Sequence, residues 1–405
     1  MRNLLDLEVF TLVTIFLGFL QHTSGTGTHT PNNGVNPFQN NANRATYGVC
    51  TSTVGYGTCM RRADCLRDGG ETPPGDCDRK GTYCCTAFLG CGGSAHLKRV
   101  YIERPEVFET SCNHNIIMIN ENICQLRLDF EEFELAPPFD VGGTPTCIFD
   151  NFQVKDFQLC GVNDGQHVYV DVTPGTQLNV ELTFTLTDRM VNPGLVNPRW
   201  RILVTQIECP PAVATLRDGR NLIDESVPYE QYIPEITREP KVYHTAPPAY
   251  VLDQAILAPR GCLQYFPNPS GIIESFNFQN GRGTYPGNMN YAICFRRRPN
   301  DKRISFTSHF FQLGFTILSA DNEGYDNICF TQIESPGRSE DYLFIPQAVR
   351  QSFPNVRASY FCAQSLANTS VIATQSGPFV IHFNSDSLYD SQRPEIGFRM
   401  SYQIS

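Results

Sequence analysis

Five stretches of this chain alternate apolar and polar residues with a strict period of two. Leu126, Leu128 and Phe130 share one face of the first. Leu178, Val180, Leu182, Phe184 and Leu186 alternate with Asn179, Glu181, Thr183 and Thr185 in the second. Phe311, Leu313, Phe315 and Ile317 repeat the pattern, as do Phe379, Ile381 and Phe383, and finally Phe398, Met400, Tyr402 and Ile404. Successive strand side chains point to opposite faces, so this period with one polar face predicts antiparallel strands packed on one side. No comparable stretch carries helical periodicity. The fold class that follows is all-β: two antiparallel β-sandwich domains, 91–209 and 262–405, each the size of such a domain.

Cysteine placement adds a third unit. Of 16 cysteines in 405 residues, six fall between Cys50 and Cys85. A span that short builds little apolar core, so 50–85 reads as a small disulfide-rich module ahead of the larger domains. Residues 26–49 are rich in Thr, Asn and Gly and form a flexible leader. Residues 210–260 hold eight prolines and read as a linker or insertion.

The compartment is read from the N-terminus. Arg2 precedes the apolar run Val9 to Leu20, and Thr23 and Gly25 offer small residues at a cleavage point, so 1–25 reads as a secretory signal. No later segment reaches membrane-spanning length, so no membrane span is expected and the chain should be extracellular. In an oxidising space an even number of cysteines can pair completely. A net charge of −10 argues against nucleic acid as a partner, since phosphate neutralisation needs a basic field.

Two family resemblances rest on these residues. The order Cys50, Cys59, Cys65, Cys77 and adjacent Cys84-Cys85 resembles the clip domains of arthropod secreted proteases, with a shorter Cys65–Cys77 segment than usual. Both larger regions resemble CUB domains, which are extracellular antiparallel β-sandwiches. In the second, Gly261-Cys262, Tyr291-Ala-Ile-Cys294, Cys329, Tyr360-Phe-Cys362 and the ending Phe379 to Asp386 then Gly397 to Tyr402 carry the likeness. In the first it is carried by Cys91-Gly92-Gly93, Asp129-Phe130 to Glu134-Leu135, Cys147 and Cys160-Gly161. The whole order is similar to a group of secreted arthropod CUB-domain-containing proteins.

These resemblances imply bridges Cys50–Cys84, Cys59–Cys77 and Cys65–Cys85 in the module. They imply Cys91–Cys112 and Cys147–Cys160 in the first sandwich, and Cys262–Cys294 and Cys329–Cys362 in the second. Cys124 and Cys209 remain and are expected to pair. Many CUB domains also hold calcium through a glutamate and two aspartates. In the first domain Asp150 and Asp188 match the aspartates, while the glutamate position falls at Ala136 or Pro137, near Glu134. In the second, Asp386 matches and Gln332 stands at the other aspartate position. Calcium takes six to eight oxygens, so Asp150 and Asp188 make at most a weak site, and loop capping is the preferred reading of the pair.

Catalytic signatures are missing from the sequence. There is no Gly-x-Ser-x-Gly, no His-Glu-x-x-His, and no cysteine left over as a nucleophile. The chain reads as a non-enzyme without a cofactor beyond that weak calcium pair. The basic cluster Arg296, Arg297, Arg298, Lys302 and Arg303 suits an acidic protein loop or a sulfated glycan, against the plainer reading of a solvated turn. Asn368-Thr-Ser370 is the N-glycosylation sequon, and Trp200 reads as core. The function expected is extracellular protein–protein or protein–glycan binding. Its rivals are regulation of a clip-domain protease cascade, and a matrix or coat component cross-linked through Tyr229, Tyr232, Tyr243 and Tyr250.

Overall fold

The computed structural model describes residues 48–210, 253–314, 326, 329, 341–351, 353–389 and 395–405, all within one compact unit. The expected signal, most of the leader, most of the proline-rich stretch with its tyrosines, and Gln332, Phe315 and Ile317 lie outside the described residues.

The N-terminal module is a three-stranded antiparallel sheet of β1 (Val49–Ser52), β2 (Gly55–Met60) and β3 (Tyr83–Cys85), with one short helix, α1 (Arg62–Arg67). Its bridges Cys50–Cys84, Cys59–Cys77 and Cys65–Cys85 take the place of an apolar core. The module lies against the first sandwich through Tyr101. The Tyr101 hydroxyl accepts the Tyr56 backbone N–H at 3.1 Å and donates to Glu131 at 3.1 Å. Gly55, at φ +141°, makes that approach feasible, because a Cβ there would meet the Tyr101 hydroxyl at 2.7 Å.

The first sandwich is built from β4 (Phe88–Leu89), β5 (Ser94–Ala95), β6 (Arg99–Glu103), β7 (Ser111–Ile117), β8 (Ile123–Glu134), β9 (Phe139–Val141), β10 (Thr144–Thr146), β11 (Asp150–Val154), β12 (Phe157–Leu159), β13 (His167–Asp171), β14 (Asn179–Leu186) and β15 (Arg199–Glu208). Two five-stranded sheets face each other, in orders β12-β11-β14-β7-β5 and β13-β8-β15-β6-β4, and β9 with β10 forms a separate hairpin. Trp200 of β15 stacks on Phe184 of β14 with centroids 4.0 Å apart, and Phe130 and Phe133 of β8 meet Phe152 of β11 edge-on. These rings join the two sheets, so Trp200 is core as expected. Alternation begins one apolar position later than the sequence pattern suggests: Leu178 is exposed and precedes β14, while Val180, Leu182, Phe184 and Leu186 are buried.

The second sandwich comprises β16 (Cys262–Phe266), β17 (Ser270–Glu274), β18 (Asn290–Phe295), β19 (Ile304–Gln312), β20 (Tyr342–Arg350), β21 (Phe353–Phe361), β22 (Ser370–Ala373), β23 (Phe379–Asn384) and β24 (Gly397–Ile404). Its strands form one continuous path, β16-β18-β23-β20-β22-β19-β24-β17, with β21 on β20. The two halves of that path fold face to face: Phe295 of β18 meets Phe306 of β19 and Tyr402 of β24, and Phe383 of β23 meets Phe398 of β24.

The sandwiches are joined side by side. The Tyr265 backbone N–H donates to His167 Nε2 at 3.1 Å, and the Asn277 N–H donates to Asn163 at 2.8 Å. Gln125 exchanges two 3.0 Å hydrogen bonds with the backbone of Ala258. The described end of the proline-rich stretch is thus packed structure rather than a free linker. Asp253 is buried and pairs with Lys98 at 2.6 Å.

Candidate functional site

Three loops of the first sandwich meet at Asp150, the first residue of β11. Its carboxylate is buried and fully engaged. The Ala136 N–H donates to Oδ2 at 2.8 Å and the Thr187 N–H to Oδ1 at 3.1 Å. Arg189 then grips both oxygens, at 2.8 and 2.5 Å. The same guanidinium donates to the Val196 carbonyl and lies over the Phe108 ring at 5.7 Å. Asp188 instead caps its own turn, accepting the Met190 N–H at 2.7 Å.

The two aspartates that a weak calcium site would need face different partners: Asp150 faces Arg189 and Asp188 the Met190 N–H. The Ala136 N–H and the Arg189 guanidinium are what the Asp150 carboxylate meets, and Arg189 supplies the positive charge. A guanidinium fork and a calcium ion compete for the same two oxygens, and Asp188 is turned elsewhere. The residues of the first sandwich do not fit calcium.

In the second sandwich Asp386 meets Asp341. Asp341 is fully buried at the start of β20. It accepts the Tyr285 hydroxyl at 2.5 Å and the Asp386 N–H at 2.7 Å. The Tyr285 hydroxyl in turn accepts the Gly314 N–H at 2.8 Å. Burial first, and the Asp341 charge second, hold the Tyr285 phenol well above its usual range. Asp341 was missed because twelve residues separate it from Cys329. The usable signal was an aspartate heading an alternating strand, Asp341-Tyr-Leu-Phe-Ile, as Asp150-Asn-Phe-Gln-Val does in the first domain. Among the described residues, Asp341 and Asp386 lie here with the buried Glu395 near Tyr285, against the six to eight oxygens calcium requires.

The basic cluster is divided by the structure. Arg296, Arg298, Lys302 and Arg303 are exposed around the turn between β18 and β19. Arg297 is not part of that surface. It lies over the Phe379 ring at 4.5 Å and donates to the carbonyls of Asp301, Gln375 and Gly377. It fastens the turn rather than facing a ligand. Asn368 is exposed, in a tight turn at φ +55° ahead of β22.

A cleft of about 660 Å³ runs between the sandwiches, lined by Asp156, Tyr169, Asp171, Met289, Tyr291 and His382 among others. The Asp171 carboxylate there already accepts Gln125 and the Gly261 N–H. All 16 cysteines are bridged, in the eight pairs set out above, including Cys91–Cys112, Cys124–Cys209, Cys147–Cys160, Cys262–Cys294 and Cys329–Cys362. The close grouping of Cys91 and Cys112 with His114 is therefore a disulfide beside an imidazole, not a set of thiolate ligands.

Comparison with known proteins bears on the second sandwich most directly. No curated protein matches the chain. Among solved structures, the CUB1-EGF-CUB2 domains of rat MASP-1 are similar at 13% identity and a TM-score of 0.23, covering 78% of this chain and 99% of that one. The CUB1-EGF-CUB2 domain of human MASP-1/3 is similar at 12% identity and TM-score 0.23, covering 76% and 100%. The full extracellular region of zebrafish Gpr126/Adgrg6 is similar at 11% identity and TM-score 0.20, covering 78% of this chain and 36% of that one. Overall likenesses at that level carry no functional argument. No helix among the described residues is long and apolar enough to cross a membrane. Animal CUB domains are mostly extracellular, generally mediate protein–protein interaction and are typically non-catalytic. It is to the animal CUB domain that residues 259–405 of this chain match.

Proposed function

We propose that this chain is a secreted, non-enzymatic binding protein that engages an extracellular protein or glycan through the loop ends of its two sandwiches. One observation carries the reading. The Asp150–Arg189 fork ties three loops into a fixed surface that leaves Val107, Met190 and Val191 at 74%, 90% and 73% exposure. Large apolar side chains held in water on a rigid scaffold mark interaction sites. Arg296, Arg298 and Lys302 supply a second, cationic surface suited to carboxylates or sulfates.

The test is affinity purification from the native extracellular fluid with immobilised chain, run beside a Met190→Ser plus Val191→Ser variant. A partner retained by the first and lost by the second supports the reading; identical retention by both removes the loop end from it. For the glycan arm, retention on heparin at near-physiological salt should drop for Arg296→Ala, Arg298→Ala and Lys302→Ala together. Regulation of a protease cascade and a coat or matrix role are rival proposals. The first predicts a change in a protease's activity when the chain is added, the second resistance to extraction.

A further inference from the structure

We propose that the loop end of the first sandwich docks onto the basic turn of the second sandwich in another copy of this chain, giving a head-to-tail assembly. The proposal rests on the binding reading above and names the partner for both surfaces.

The loop end is apolar at its tip and acidic around it. Val107, Ile148, Met190 and Val191 are exposed by half or more. The exposed or half-exposed ionisable side chains in those loops and the adjoining β9–β10 hairpin are Glu106, Glu109, Asp140 and Asp188, against Arg104. Arg189 adds nothing outward, because its charge is committed to Asp150. The loops are pinned before any partner arrives: the Leu186 N–H donates to Thr110, Thr187 to Phe149, and Arg189 to Val196. A pre-ordered surface loses less freedom on binding.

The basic turn is its complement. Arg296, Arg298, Lys302 and Arg303 point outward, and Pro299 and Pro378 are exposed beside them. The one acid of the turn, Asp301, is used internally, accepting the Arg298 N–H at 2.7 Å. Arg297, laid over Phe379, holds this turn as firmly as Arg189 holds the other.

One copy cannot bring the two together. The β9–β10 hairpin of the first sandwich touches the second at Gly287 and Ser387, beside Asn290 where β18 begins. The basic turn follows Phe295, at the other end of that strand, roughly 20 Å away at 3.3 Å per residue. Complementary patches on separate parts of one body make a heterologous contact, which propagates from copy to copy. Opposite charge steers the encounter, and the apolar tip supplies burial.

The test uses the full chain and two variants with exposed substitutions. Met190→Ser plus Val191→Ser spoils the tip and keeps the turn. Arg296→Glu, Arg298→Glu and Lys302→Glu spoil the turn and keep the tip. In sedimentation velocity at low salt, the unaltered chain should grow in size with concentration, and each variant alone should associate at least tenfold more weakly. Mixing the two variants should give a one-to-one complex that grows no further, because one intact interface remains. Retained melting temperatures exclude misfolding. An unaltered chain that stays monomeric into the high micromolar range overturns the proposal, as does a mixture that forms no complex. If heparin still retains that monomer through Arg296, Arg298 and Lys302, self-docking fails while the binding reading stands. If neither self-association nor partner capture occurs, both fail.

Discussion

Arg189 holds Asp150 with two parallel hydrogen bonds of 2.8 and 2.5 Å, and the carboxylate it holds is buried. A charge taken out of water needs a partner of opposite sign, and here that partner belongs to the chain. Arg189→Met leaves the Asp150 carboxylate to two backbone N–H groups and should cost about 3–5 kcal/mol, the usual penalty for breaking a buried pair. Asp150→Ala should cost a comparable amount. Thermal melting of the unaltered protein should be unmoved by millimolar chelator or calcium. A rise in melting temperature on adding calcium that disappears in Asp150→Ala would contradict the assignment of Arg189 as the cation.

Two of the eight bridges differ most usefully in loop length. Cys124–Cys209 closes a separation of 85 residues and Cys147–Cys160 one of 13. If bridges act by limiting the unfolded chain, the first contributes about 4–5 kcal/mol and the second about 3 kcal/mol. Replacing Cys124 and Cys209 by serine should therefore lower the urea midpoint more than replacing Cys147 and Cys160. The reverse order would show that native-state packing outweighs the chain-entropy effect.

Period two located the strands because the physics that sets it is local: a half-buried strand shows its burial in its own residues. Phe379, Ile381 and Phe383, and Phe398, Met400 and Tyr402, are buried in the registers the sequence shows. In β19 the phase slips at the bulge between Ser308 and Phe310, where burial moves from Ile304, Phe306 and Ser308 to Phe311. Extrapolating one phase through it would fail. The sites were less legible because they depend on tertiary placement. Nothing in the neighbours of Arg189 or Arg297 distinguishes an arginine turned inward from one turned out. The separation of Arg297 from Arg296 and Arg298 becomes visible only once Phe379 lies beneath it.

Acid should weaken the junction of the two sandwiches through His167. Burial, then the nearby Arg127 charge, lowers its pKa from 6.5 to about 4, and His114 is lowered to about 4 by burial. Between those values the unfolded chain binds protons that the folded chain does not. The contribution of these two histidines therefore falls as pH drops from about 6.5 to about 4 and levels off below, by roughly 3 kcal/mol for each. His167→Gln keeps an acceptor for the Tyr265 N–H without a titrating ring. Urea midpoints measured across this window should fall less steeply in that variant; an unchanged slope would remove His167 from the effect.

Lys98 and Asp253 join the first sandwich to the chain entering the second. The ammonium is 2% exposed and lies 2.6 Å from Asp253 Oδ2 and 3.8 Å from Glu208. The same Asp253 oxygen accepts the Glu208 N–H at 2.9 Å, at the end of β15. Asp253 also begins the turn whose Ile256 carbonyl accepts the Tyr169 hydroxyl and whose Ala258 pairs with Gln125. Asp253→Ala should strand a buried ammonium beside only a more distant carboxylate and cost about 3–5 kcal/mol. A double change, Lys98→Met with Asp253→Ala, should recover much of that loss, since removing both charges ends the desolvation penalty. The four proteins of this cycle, compared by urea denaturation, give the coupling directly. A coupling near zero would mean that Asp253 holds the turn through its backbone contacts alone, with Lys98 stabilised by Glu208.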